Sequence, residues 1–130
     1  MDKRERGIDY LGKSLAAGEG DSLREHLDGA DFGKECASWA ADFAYGMVWS
    51  REGLDPRSRS CVVIGILMAL RQTEELKHHV RMALANGISR TELEEILYLA
   101  VPYAGFPAAN TAKWAMKEAL AAIDAAERGD

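Results

Sequence analysis

The stretch TEELKHHVRMALAN, Thr73 to Asn86, places two histidines and two carboxylates within about one and a half helical turns. At about 100° per residue, Leu76, Val80, Ala83 and Leu84 define one apolar face, and His79 lies about 80° from its centre. Glu75 stands one i,i+4 step before His79 on the same edge, with Met82 and Asn86 further along it. A neutral imidazole oriented by a carboxylate is suited to moving protons near neutral pH. His79 is therefore the candidate proton donor and Glu75 its candidate orienting partner. The competing interpretation is a half-buried structural histidine beside a solvated glutamate. His78 falls on the far side with Glu74, Lys77 and Arg81, where a surface residue is expected. Glu75 and His79 also have the spacing of two helical metal ligands, but His26 is the only other histidine, so no metal is expected. A Ser-His-Asp triad has no nucleophile-elbow signature to support it.

A second stretch, YGMVWSREGLDPRSRS from Tyr45 to Ser60, gathers Tyr45, Trp49, Arg51, Arg57 and Arg59 around a turn. Aromatic walls and guanidinium forks of this kind can hold a carboxylate. An ordinary helix junction with surface arginines has the same residues, and the two readings stay open at this point.

Helices must carry both stretches. Three prolines, at 56, 102 and 107, and few β-branched residues outside Cys61 to Ile66 leave no all-β punctuation. The spacing predicts a helix from Asp31, its N-cap, to about Trp49, with Phe32, Cys36, Trp39, Phe43 and Met47 on one face. Asp55 and Pro56 open the next, whose CVVIGILMAL is apolar all round and must be enclosed by other helices or another subunit. A third helix starts at Thr73 and stops at Asn86 and Gly87, a left-handed C-terminal cap. Ser89 and Glu92 have capping-box spacing and open a fourth, to about Tyr103. Gly105 and Pro107 restart the chain into an Ala-rich helix to about Glu127, in which Ala108, Ala109, Ala112, Ala115 and Ala119 suit close packing. The expectation is an all-α chain of five or six helices: residues 1–30 as one short helix and an irregular, Gly-rich arm, and residues 31–127 as the helical domain.

Composition narrows the function. The 130 residues amount to one domain, and 16 Lys plus Arg against 21 Asp plus Glu make a net charge of −5. That balance argues against nucleic acid or anionic lipid as partner. The longest apolar run, Cys61 to Leu70, has 10 residues, well short of the roughly 20 that span a bilayer. The charged start MDKRERGIDY does not read as a secretory signal, so the cytoplasm is the expected compartment. Cys36 and Cys61 form no CxxC; both are expected to be buried, and Cys61, inside the apolar run, reads as an inert core thiol. The arm, the all-apolar helix and the Ala-rich helix present more apolar faces than a few short helices can cover, which favours oligomerisation.

In order and at near-family spacing, YGMVWSREGLDPRSRS, EELKHHVRMALANGISRTELEEIL and YAGFPAAN resemble the signatures of the carboxymuconolactone decarboxylase family, over about Asp31 to Ala121. The resemblance implies an alkylhydroperoxidase D-like helical bundle, assembled as dimers into a homohexamer. It implies a lyase that releases CO2, without a cofactor, from a carboxylated unsaturated lactone resembling 4-carboxymuconolactone, or from a related cyclic acid. His79 then donates the proton, Glu75 orients it, and Tyr45, Trp49, Arg51, Arg59 and Tyr103 contact the substrate's carboxylates and ring. The superfamily's peroxidase branch carries a CxxC and, after three residues, a His; here Gln72 and Glu75 stand at the cysteine positions while His79 remains. Two positions where the decarboxylase pattern often has His hold Phe43 and Thr111, which makes the pocket more apolar. The alternatives are a same-fold isomerase, cyclase or decarboxylase acting on a more hydrophobic aromatic or natural-product intermediate, and a non-catalytic ligand-binding or assembly subunit. A peroxidase would need a reactive Cys36 or Cys61, which their expected burial argues against.

Overall fold

The computed structural model describes residues 2–14 and 29–129. Among them all regular structure is helical: α1 (Lys3–Ser14), α2 (Lys34–Trp39) running on into a π-helical segment π1 (Ala40–Trp49), α3 (Pro56–Ala69), α4 (Thr73–Ala85), α5 (Arg90–Ala104) and α6 (Phe106–Arg128). The all-α expectation is met. The expected irregular arm, with Gly18, Gly20 and His26, lies outside the described residues. The chain divides into two compact units, Met1–Pro56 and Arg57–Asp130.

In the first unit α1 packs on π1. Asp2 caps α1 by accepting the Glu5 amide at 2.8 Å. Ile8 and Leu11 are buried. The backbones approach so closely that a Cβ on Gly7 would overlap the Ala41 carbonyl, and one on Gly46 the Lys3 carbonyl. Arg4 fastens the crossing with a bidentate grip on Asp42, Nε to Oδ1 at 2.9 Å and Nη2 to Oδ2 at 3.1 Å, and also donates to Ser38 Oγ. That grip holds the Asp42 carboxyl below its ordinary range.

Two expectations for this unit change. Helix α2 starts at Lys34 after Gly33, in the left-handed conformation with φ 76°, and no side chain caps it, so Asp31 is not the N-cap. The predicted apolar face is also turned outward: Phe32, Trp39, Phe43 and Met47 are exposed, while Ser38, Ala41, Gly46 and Trp49 are buried. A tight backbone crossing selects the small residues, and π winding shifts the register away from the 3.6-residue period.

In the second unit the core joins Ile64 and Met68 of α3, Leu76, Val80 and Ala83 of α4, Leu93 and Leu97 of α5, and the alanines of α6. Helix α6 packs on both α4 and α5, and Ala108, Ala109, Ala112, Ala115 and Ala119 are buried as the close-packing pattern requires. Local signals set the boundaries. Helix α3 opens at Pro56. Helix α4 ends in a Schellman motif, with Ile88 N donating to Ala83 O at 3.0 Å, Gly87 N to Leu84 O at 3.1 Å, and Gly87 at φ 95°. The Ser89–Glu92 capping box is complete, at 3.1 Å and 3.0 Å. Helix α3 buries Ser60, Ile64 and Met68, but its opposite face, with Val62 and Ile66, is open, as is Leu70 just past its end.

Candidate active site

Helix α4 carries the imidazole. Its apolar residues Leu76, Val80, Met82 and Ala83 are buried with almost no exposure, and His79 is 7% exposed among them. Burial, and secondly the neighbouring His78, push the His79 pKa down to about 4, so the ring is neutral at physiological pH. The two histidine rings meet edge to face, with centroids 5.5 Å apart. On the same edge of α4, Asn86 Nδ2 donates to Ser60 Oγ at 2.9 Å, linking α4 to the fully buried hydroxyl of α3. Glu75 shares the edge but stands outside, exposed to solvent, and makes no hydrogen bond or ion pair among the described residues. The pairing of Glu75 with His79 that the spacing suggests is therefore not made in this structure. Burial, not a carboxylate, sets the state of the ring.

The aromatic and arginine residues divide between the two units. In the first, Tyr45 and Trp49 stack at 5.9 Å, and Tyr10 of α1 joins both, at 6.3 Å from Tyr45 and 5.9 Å from Trp49. Trp49 and Arg51 line a cavity of about 290 Å³ with Arg6, Asp9, Tyr10 and Leu54. In the second unit, Arg59 is half-buried near the start of α3. Tyr103 is 88% exposed and lines an apolar groove of about 390 Å³ between α3 and α5, with Cys61, Val62 and Leu99. Of the two positions that depart from the family's histidines, Phe43 is exposed and Thr111 half-buried.

Sequence reasoning missed Ser60, Arg6, Asp9 and Tyr10. The last three recur at i, i+3, i+4 in RERGIDY, a spacing that puts them on one side of a helix. That signal has no meaning until the partner of α1 is known. The cysteines also differ from expectation: Cys36, on the outward-facing α2–π1 stripe, is exposed, and Cys61 of α3 is half-buried. Burial thus gives no argument against thiol chemistry; what remains is the absence of a CxxC. Among the described residues no cluster of three His, Cys, Asp or Glu could hold a metal, and no helix is long and apolar enough to cross a membrane.

Comparison with known proteins bears on this arrangement. The chain is 42% identical over 82 residues to 4-carboxymuconolactone decarboxylase of Acinetobacter baylyi, covering 63% of this chain and 61% of that protein. It is 36% identical over 66 residues to nitrosuccinic acid decarboxylase of Metarhizium robertsii, covering 51% and 46%. The chain thus spans less than two thirds of the length of both relatives. An uncharacterized 15.0 kDa protein of Paracoccus denitrificans is 31% identical over 93 residues, covering 68% and 69%. The family model reaches from α2 to α6, and with residues 34–118 matched, more than half of its length, the chain belongs to the carboxymuconolactone decarboxylase family.

Proposed function

We propose that this chain is a cofactor-independent decarboxylase that takes CO2 from a carboxylated unsaturated lactone, resembling 4-carboxymuconolactone, or from a related cyclic acid. The observation that carries the reading is a nearly buried, neutral histidine on α4, within the segment that matches the decarboxylase family. Two relatives named for decarboxylation, on acids of different skeleton, support the reaction class. In the step, the bond from ring carbon to carboxylate breaks, and its electron pair moves into the conjugated lactone carbonyl as a dienolate. His79 then delivers a proton to carbon and is reprotonated from water. No cofactor is needed, because the conjugated carbonyl itself holds the electrons.

A ring that rests neutral must acquire its proton with the substrate. An anionic carboxylate within about 4–6 Å raises an imidazole pKa, so binding loads the donor. Glu75, four residues earlier on α4, is proposed to pair with the imidazolium once it forms. The carboxylates and ring of the substrate fall to Arg51, Arg59, Tyr45, Trp49 and Tyr103. The proposal includes a cytoplasmic homo-oligomer built from dimers. The test supplies 4-carboxymuconolactone and follows CO2 release. His79→Ala, with helicity and assembly retained, lowers turnover at least about 10²-fold, the low end for general acid catalysis. Unchanged turnover overturns the role of His79.

A further inference from the structure

The first unit holds a cavity whose chemistry is more specific than a helix junction requires. It is built where α1 crosses π1, and it is lined by Arg6, Asp9 and Tyr10 of α1 together with Trp49, Arg51 and Leu54. Residues 34–118 match the family, so the α1 half of this lining lies upstream of the matched segment. The crossing is backbone against backbone at Gly7 and Gly46, and Arg6 Nε donates to the Gly46 carbonyl at 3.1 Å. Helix α1 is therefore seated in one register, and Arg6 and Tyr10 are presented to the cavity from a fixed position.

From these residues we infer that the cavity binds a carboxylate attached to a flat, unsaturated or aromatic ring, and that Arg6 and Tyr10 of α1 determine this specificity. The inference deepens the reading of Trp49 and Arg51 as acid-binding residues and rests on it. Two guanidinium groups against one carboxylate leave the lining with an excess of positive charge, which selects an anion. Guanidinium groups hold carboxylates by paired N–H donors. Tyr10 and Trp49 line the cavity and are held in place by mutual packing with Tyr45 behind them, at centroid separations of 5.9–6.3 Å, so two fixed aromatic rings are available to a planar guest. At about 290 Å³ the space stands at the low end of small-molecule pockets and accepts one ring with its substituents. Asp9 can accept a hydroxyl of the ligand and repels a second carboxylate placed beside it, which orients the guest.

Benzoate is the probe, with benzamide as its neutral isostere, and binding is followed by calorimetry and by NMR. Benzoate is expected to bind at least about 10-fold more tightly than benzamide, the size of one charge-assisted hydrogen bond. Arg6→Gln and Arg51→Gln each weaken benzoate about 5-fold or more and leave benzamide unchanged. In the unaltered chain, ring protons of bound benzoate show nuclear Overhauser contacts to Tyr10 and Trp49, a readout that does not depend on any variant folding. Equal affinity for the two probes, or contacts elsewhere, overturns the inference. The outcome separates from that of the His79 test. Lost selectivity in a chain that still releases CO2 leaves the decarboxylase reading intact, whereas selective benzoate binding in a chain without turnover leaves only this cavity.

Discussion

His79 shows how one side chain takes its chemical character from its surroundings. On α4 it has Leu76, Val80 and Met82 for neighbours, and their burial removes the water that would solvate an imidazolium. Its pKa, near 6.5 in an unfolded chain, falls to about 4 in the folded one. Between those values the unfolded chain binds a proton that the native one does not, so stability rises with pH through the window. The contribution is complete above about pH 6.5 and is lost as pH falls toward 4. Its size is ~3 kcal/mol at most, from about 1.4 kcal/mol per pKa unit. Urea unfolding at pH 7 and at pH 5 is expected to show a loss of stability in the unaltered chain that His79→Gln largely removes. An equal pH dependence in both would mean that the ring is solvated. The imidazole Cε1 proton, followed by NMR, should titrate with a midpoint near 4 in the absence of substrate.

At the scale of elements, α1 and π1 depend on two glycines that have no conformational reason to be there. Both lie inside helices, where glycine costs about 1 kcal/mol relative to alanine. The reason is distance: Gly7 faces the Ala41 carbonyl and Gly46 the Lys3 carbonyl, with no room for a methyl group on either. Gly46→Ala must push α1 off π1 and is expected to destabilise the first unit by about 2 kcal/mol, within the range for overpacking. Thermal unfolding measures that loss. The same substitution moves Arg6 and Tyr10, so benzoate affinity should fall with it. A stable Gly46→Ala chain with unaltered benzoate binding would show that the crossing does not set the cavity.

For the whole molecule the uncovered apolar faces matter most. Val62 and Ile66 on α3 with Leu70 just past its end, and Trp39, Phe43 and Met47 on α2 and π1, are all exposed in the single chain. Exposed faces of this extent mark association surfaces. Under the proposal of a homo-oligomer, Ile66→Glu places a charge in a contact and is expected to lower the mass seen by light scattering to that of one chain or one dimer, with helicity retained. A mass identical to that of the unaltered protein would exclude the α3 face from the assembly.

Much of the fold was legible in short-range signals. Pro56, the Asn86–Gly87 cap and the Ser89–Glu92 box each act through hydrogen bonds or dihedral preferences within a few residues, so the ends of α3, α4 and α5 follow from local sequence. The 100° period likewise put His79 at the margin of a buried face. It could not distinguish His79 from Glu75 on that margin, because their opposite exposures depend on the helices packed around α4. Nor could it anticipate the outward turn of Phe43 and Cys36, or the place of Arg6 and Tyr10 beside Trp49. Those follow from contacts between residues more than 30 positions apart, such as Arg4 with Asp42, whose energy no local window contains. The sequence alone determined which residues were chemically able to act, and tertiary packing decided which of them lost water and which acquired neighbours.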